Sequence, residues 1–278
     1  MKGSTVVITG ATSGIGEVAA RELAEMGARI VLVARDAARA EAVRDRLRHI
    51  TPAAAHTLHV ADLSRLREVK RVAADIVAAE PRIDVLINNA GAMFASRKIT
   101  EDGLEMTFAV NHMAYFVLSN LLRPRMTAGA RIVSTASDAH KGAKLDFGDL
   151  QSEKRYTGFA VYGRSKLCNI LFTRELARRL QGTGITANCL HPGFVATHFG
   201  DNSGGLLSFG MGLAKNFAIT PEKGAETIVY LAASPDVANA TGGYYYKCRP
   251  AVPTREAQND ADARRLWDIS ARLADIPQ

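Results

Sequence analysis

Cysteine is scarce: the 278 residues hold three, Cys168, Cys189 and Cys248, an odd number with no C-x-x-C pair. That argues against a disulfide framework and for buried thiols in a reducing compartment. No linker rich in proline or serine, no repeat and no low-complexity tract interrupts the chain, so one domain over residues 1–278 is the economical reading. The apolar run 6–8 is far too short for a signal-peptide core. Residues 106–122 lack charge and approach bilayer-spanning length, but Asn111, His112, Ser119 and Asn120 interrupt them. A buried core or interface helix is therefore expected there, in a soluble, cytoplasmic protein with no membrane span. Charge of one sign is not concentrated either. The net charge is +7 with a pI near 9.4, yet Lys and Arg alternate with Asp and Glu through 35–48 and 65–71. Solvated helix faces make that pattern more readily than a nucleic-acid surface. There is no G-x-S-x-G elbow for a hydrolase. His56 and His59, three apart on a strand, would point to opposite faces, so no metal site is expected.

What is present is alternation. Hydrophobic residues make up 47% of the chain, enough for a full core. Apolar strand-like runs fall at 6–9, 30–34, 58–61, 85–88, 131–136, 186–191 and, less regularly, 243–246. Amphipathic helical runs lie between them at 14–26, 37–48, 65–80, 103–122, 161–181 and 221–233. Continuous apolar strands linked by helices predict an α/β fold: a doubly wound, seven-stranded, mainly parallel sheet with helices on both faces. Ligands are then expected beyond the C-terminal strand ends.

The polar signals fall at those ends. Thr9-Gly10-Ala11-Thr12-Ser13-Gly14-Ile15-Gly16 follows the first strand and opens into 17–27, where Val18, Ala19, Leu23 and Met26 recur at helical spacing. A strand, a glycine turn and a helix N-terminus form a site for a pyrophosphate, although a glycine-rich loop alone is weak evidence. Arg35 ends the second strand nineteen residues past Gly16. In a dinucleotide fold that position reads the adenosine ribose, and Arg suits a 2′-phosphate; the plain alternative is a surface arginine. Ser13 and Arg39 could add contacts. Asp36 would repel the phosphate if turned inward, or would cap the helix that begins at Ala37. Asp62-Leu63 either reaches adenine or supplies the N-cap of the next helix. Asn88-Asn89-Ala90-Gly91 holds a turn against a cofactor, or is only a turn. In Tyr162-Gly163-Arg164-Ser165-Lys166, the Tyr and Lys share one helix face. A neighbouring ammonium favours phenolate and would lower the Tyr162 pKa toward neutrality. Ser134-Thr135-Ala136-Ser137 ends the fifth strand nearby, and a serine hydroxyl there could hold a substrate oxygen. His112 and His140 are expected in satisfied structural roles ahead of substrate contact.

Taken together, these residues resemble a short-chain dehydrogenase/reductase over about residues 4–247. The family's T-G-x-x-x-G-x-G falls on Thr9–Gly16 and its N-N-A-G on 88–91. Its catalytic Asn, Ser, Tyr and Lys fall on Asn111, Ser137, Tyr162 and Lys166, and its P-G turn with a following threonine on Pro192, Gly193 and Thr197. Val33-Ala34-Arg35-Asp36, Val110-Asn111-His112, the segment 145–151 and His191-Pro192-Gly193 resemble the retinol dehydrogenase-like branch, which includes the WW-domain oxidoreductases. So does the 25-residue step from Ser137 to Tyr162. Two departures stand out: Ser134-Thr135-Ala136-Ser137 replaces that branch's usual N-V-S-S, and the N-terminal membrane segment of many vertebrate relatives is not seen.

The resemblance implies a Rossmann-type domain and an oxidoreductase that interconverts an alcohol and a carbonyl with NADP(H). It places the cofactor against Gly10, Thr12, Ser13, Gly14, Ile15, Gly16, Arg35, Asp62, Leu63, Asn89, Ala90, Gly91, Tyr162, Lys166, Pro192, Gly193, Val195 and Thr197. Tyr162 would donate the proton, Lys166 would hold the nicotinamide ribose, Ser137 the substrate oxygen and Asn111 a relay water, with Thr197 on the carboxamide. A substrate lid near 198–217, an apolar small-molecule substrate and a C-terminal helical tail near 254–278 are expected. So is a homo-oligomer, dimer or tetramer, paired through the helices that carry Asn111 and Tyr162. The alternative in another class is a non-catalytic NADP(H)-binding sensor or scaffold.

Overall fold

The computed structural model describes residues 1–194 and 219–277. The lid expected near 198–217, and the contacts expected of Val195 and Thr197, lie outside the described residues. One sheet organises the chain. Its strands are β1 (Thr5–Thr9), β2 (Arg29–Ala34), β3 (Thr57–Val60), β4 (Val85–Asn88), β5 (Arg131–Thr135), β6 (Thr186–Leu190), β7 (Tyr244–Tyr246) and β8 (Arg249–Ala251), in the order β3-β2-β1-β4-β5-β6-β7-β8. All pairings are parallel except β7 with β8.

The eighth strand corrects the expected seven. Arg249–Ala251 pairs antiparallel with β7, Tyr246 opposite Arg249, across the two-residue turn Lys247-Cys248. Both turn residues have positive φ, 49° and 58°. Such a turn normally announces itself with Asn-Gly or Asp-Gly; here neither is present, and Pro250 fits only an edge strand. Hence the sequence carries no hairpin signal at this edge.

Strand residues alternate between two cores. Val7, Val31, Leu86, Ile132 and Ala187 face helices Leu66–Ala79, Ala114–Leu122, Gly158–Arg179 and Asp260–Ala274. Val6, Ile8, Ile30, Leu32, Ile87 and Leu190 face helices Gly14–Glu25, Ala37–Ile50 and Pro221–Ala233. The expected helix over 103–122 is broken into Met106–Phe108, a π-helical turn Ala109–Met113 and Ala114–Leu122. Asn111 sits in that turn, and such turns often mark functional sites. The last helix lays Trp267 against Phe116 and Phe172, with ring centroids 4.8 and 5.9 Å apart, so the chain itself covers part of the face of Gly158–Arg179. Among the described residues no helix is long and apolar enough to cross a membrane. Cys168 and Cys189 are free and buried, whereas Cys248 is only half-buried, because the hairpin turn carries it out of the core.

Candidate active site

Between β1 and β4 the strand order reverses, which opens a crevice at the C-terminal strand ends. Two loops meet there closely enough to dictate their residues. Gly10 has φ +67°, and a Cβ on it would stand 2.7 Å from the Ala90 Cα. A Cβ on Gly16 would overlap the Gly10 carbonyl and the Asn89 amide. Asn89 ties the loops together: its Nδ2 donates to the carbonyls of Thr9 and Gly10, at 3.2 and 3.1 Å. Thr9 Oγ1 accepts from the N–H groups of Asn89 and Ala90, both at 3.0 Å. Ser13 stands at the N-cap of Gly14–Glu25 but its side chain caps nothing, so the first-turn N–H groups at Gly14, Ile15 and Gly16 remain for an anion. Ala11 is buried beneath the loop and Thr12 is half-buried.

Arg35 is exposed at the end of β2 and, among the described residues, forms no ion pair. Asp36 caps Ala37–Ile50: its carboxylate accepts from the Arg39 N–H at 3.0 Å, and the Arg39 guanidinium lies 3.6 Å away. Asp62 is not the N-cap of Leu66–Ala79, which falls at Arg65. Its Oδ1 accepts from the N–H and hydroxyl of Ser64, at 3.0 and 2.8 Å, closing a local turn. The N–H of Leu66 is taken by Asp102 at 2.8 Å. Leu63 is buried in the core beside that turn. Pro192 and Gly193 follow β6; Gly193 has φ +90°, and a Cβ there would meet Ile219 at 3.1 Å.

The four catalytic candidates come together at the ends of β4 and β5. Asn111 Oδ1 accepts from the Ala92 N–H at 2.8 Å, while its Nδ2 donates to the Ala92 carbonyl and to Ser165 Oγ, both at 2.9 Å. Lys166, 2% exposed, donates to the Thr135 carbonyl at 2.9 Å. Its Nζ lies 5.5 Å from the ring centroid of Tyr162 and 5.8 Å from that of Tyr115. Ser137 is hydrogen-bonded to the Tyr162 phenol. Close approach of the helix to the Ser137 turn requires Gly163, where a Cβ would lie 2.5 Å from the Ala139 carbonyl.

The electrostatics differ from the sequence expectation. Burial pushes the Tyr162 phenol up to about 12, and the Ser137 hydrogen bond only partly opposes it. Burial also pushes Lys166 down to about 7. The Lys166 amine lies over the ring face and bonds to the Thr135 carbonyl, and desolvation dominates both groups. Tyr162 is therefore a neutral proton donor at pH 7. Lys166 carries a linked stability cost. Its pKa is near 10.5 in the unfolded chain and about 7 when folded. The unfolded chain binds more protons between those values, so stability from this group rises with pH across that window and is lost as pH falls. Each unit is worth about 1.4 kcal/mol. Lys166→Met is expected to raise the melting temperature of the coenzyme-free protein at about pH 6–7, and by much less near pH 10 or above; a pH-independent change would rule out the buried ammonium as the cause.

Both candidate histidines are structural. His140 Nδ1 is 2.8 Å from the Ser137 carbonyl and its Nε2 accepts from the Thr254 N–H at 3.3 Å. His112 is fully buried against Ser270. His56 Nδ1 accepts from the Ile30 N–H, and among the described residues no group of three metal-ligating side chains forms. Sequence reasoning passed over Tyr115 and Asn169, and named Thr9 and Thr135 only as members of longer runs. Tyr115 donates to the Ala90 carbonyl at 2.9 Å, and Asn169 to the Thr135 carbonyl at 3.2 Å. Tyr115 and Asn169 act on main-chain carbonyls of other segments, which leaves no local pattern. Gly163, next to Tyr162, is a signal that could have shown the close approach of this helix.

Comparison with known proteins agrees with this geometry. The family model for short chain dehydrogenases matches residues 4–204. Retinol dehydrogenase 14 of Mus musculus is 43% identical over 291 aligned positions, covering 99% of this chain and 87% of its own length. Retinol dehydrogenase 13 of Homo sapiens is 41% identical, covering 99% and 85%. Among solved structures, an uncharacterized protein from Mycobacterium Paratuberculosis superposes with a TM-score of 0.81 at 32% identity, over 100% of this chain and 96% of that one. A short chain dehydrogenase from Burkholderia cenocepacia J2315, in complex with NADP, gives 0.70 at 25% identity, over 87% and 95%. The chain belongs to the short-chain dehydrogenase/reductase family, in its retinol dehydrogenase-like branch, and is an oxidoreductase of alcohol and carbonyl groups.

Proposed function

We propose that the protein is an NADP(H)-dependent reductase of apolar carbonyl compounds, able to run in reverse on the matching alcohols. The observation that carries this is the neutral Tyr162 phenol, hydrogen-bonded to Ser137 and held over buried Lys166 beside a glycine cradle that any Cβ would fill. NADP(H) fits the residues present: unpaired N–H groups at Gly14–Gly16 suit its pyrophosphate, and Arg35 suits its 2′-phosphate. When bound, the coenzyme supplies or accepts the hydride. Ser137 orients the substrate oxygen and Tyr162 gives it a proton as negative charge develops. Lys166 holds the nicotinamide ribose and replenishes the phenol proton. Asn111 keeps the loop after Gly91 in place, and the second lone pair of its Oδ1 receives a relay water.

Substrate character follows from the rim. Phe159, in the first turn of the Tyr162 helix, and Phe194, directly after Gly193, are 58% and 51% exposed. Large exposed apolar groups adjoining the segments that carry Tyr162 and Gly193 favour apolar aldehydes, in keeping with the names of the retinol dehydrogenases above. A homo-oligomer would have to leave the Asp260–Ala274 helix in place on Gly158–Arg179 or pair elsewhere. The test is NADPH oxidation with a panel of aliphatic and aromatic aldehydes, ketones, quinones, sugars and hydroxy acids. Turnover concentrated on the apolar aldehydes is expected. A preference for charged or sugar substrates would overturn the substrate class, and silence with tight NADPH binding would favour a sensor.

A further inference from the structure

A polar chain separate from the four catalytic candidates runs from the C-terminal helix to the floor of the site. It begins at Ser270, fully buried on Asp260–Ala274, whose Oγ lies 2.8 Å from His112 Nε2. The imidazole is packed among the rings of Phe108, Phe116 and Phe172, at centroid distances of 5.1, 6.5 and 6.0 Å. Burial lowers its pKa to about 3, against the pull of a hydrogen bond with Asn169, so it is neutral at pH 7 and carries one N–H. His112 Nδ1 and Asn169 Oδ1 are both buried and neither makes a hydrogen bond of ordinary geometry, so this link is electrostatic and looser than the others in the chain. Donor matches acceptor if the proton is on Nδ1, which leaves Nε2 to accept from the Ser270 hydroxyl. The same assignment turns Asn169 Nδ2 toward the Thr135 carbonyl, 3.2 Å away. That carbonyl also receives Lys166 Nζ at 2.9 Å.

We infer that Asn169, held in orientation by His112 and Ser270, is a positioning residue for Lys166, because the two side chains share the Thr135 carbonyl. The inference rests on the catalytic reading of Lys166 above. His112, Asn169 and Ser270 are each 0% exposed, so none touches substrate or coenzyme. Three desolvated polar groups in an otherwise aromatic and aliphatic core cost stability that apolar residues would not. Their effect is to anchor the peptide at the end of β5. With Asn169 bonded, the Thr135 carbonyl cannot swing after the ammonium, and Lys166 stays between that oxygen and the Tyr162 ring. The groups facing the Lys166 ammonium are the Tyr162 and Tyr115 rings, the Thr135 carbonyl and, across Gly91, the Asn111 side chain.

A double-mutant cycle tests this. Asn169→Ala, Asn169→Ser and His112→Phe are compared in the wild-type chain and in Lys166→Ala, with kcat, KM for NADPH and the pH profile of kcat/KM as readouts. In the wild-type background Asn169→Ala is expected to lower kcat about tenfold or more, with KM for NADPH changed less than about threefold and the apparent pKa of the lysine limb displaced. His112→Phe should have the same effect at smaller size, and Asn169→Ser should recover part of the loss. In Lys166→Ala the same substitutions should cost less than about twofold. Equal costs in both backgrounds, or wild-type kcat in Asn169→Ala, would overturn the inference. If Asn169→Ala fails to fold, Asn169→Ser and His112→Phe carry the same cycle. Full turnover by Lys166→Ala alone would instead sink the catalytic reading of Lys166, and the inference with it.

Discussion

Tyr162→Phe is expected to lower kcat by about 10²–10⁴-fold, the range for loss of a positioned general acid, while NADPH still binds. The substitution deletes one oxygen from a half-buried ring and leaves the rest of the site standing. Lys166 keeps its bond to the Thr135 carbonyl and its place over the ring face. Asn111 keeps both bonds to Ala92. What disappears is the donor that Ser137 aligns and that burial holds neutral, with a pKa near 12. The decisive measurement is single-turnover reduction of an aldehyde by bound NADPH, followed alongside coenzyme fluorescence. A variant that binds NADPH and still turns over at near wild-type rate would remove Tyr162 from the chemistry.

For Arg35→Ala the expected result is a selective loss, roughly 10- to 100-fold in kcat/KM for NADPH with little change for NADH. A hydrogen bond to a charged partner is worth about 1.5–3 kcal/mol, which sets that range. The neighbourhood leaves Arg35 available: it is exposed and forms no ion pair among the described residues, while the Asp36 carboxylate is spent on the Arg39 N–H. Ala34 before it is buried and offers no acceptor for a free 2′-hydroxyl. An exposed charge pair is screened, so the discrimination should shrink as salt is raised. Equal use of both coenzymes by the wild-type protein, or undiminished NADPH efficiency in the variant, would show that another residue reads the ribose.

Much was legible from the sequence because its causes are local. Apolar runs of strand length separated by amphipathic helices specify a doubly wound sheet without reference to any contact. Glycines at 10, 14 and 16 after a strand, and a Tyr and Lys four apart on a helix, declare their chemistry by spacing alone. The N-cap at Asp36 was readable for the same reason. Features set by contacts between distant segments were not. The eighth strand depends on a left-handed Lys247-Cys248 turn that only pairing against β7 stabilises. Asp62 is not the N-cap it could have been, because Asp102 takes the helix N-terminus from thirty-six residues away and Asp62 closes a local turn with Ser64.

The proton state of the site belongs wholly to the tertiary structure. Sequence spacing placed an ammonium beside a phenol and implied phenolate, because charge attraction is the one effect that spacing reports. Packing decided otherwise: Lys166 is 2% exposed and aimed at a main-chain oxygen, so burial raises the phenol and lowers the amine. That oxygen, Thr135, carries no signal in its side chain, nor does the reach of Ser270 through His112 and Asn169 toward it. The sequence by itself determined the doubly wound fold class, the family and the candidate residues at the strand ends; folding decided the sheet edge, how those residues are desolvated and what holds them, since a dielectric environment is a property of everything packed around a group and not of its neighbours in the chain.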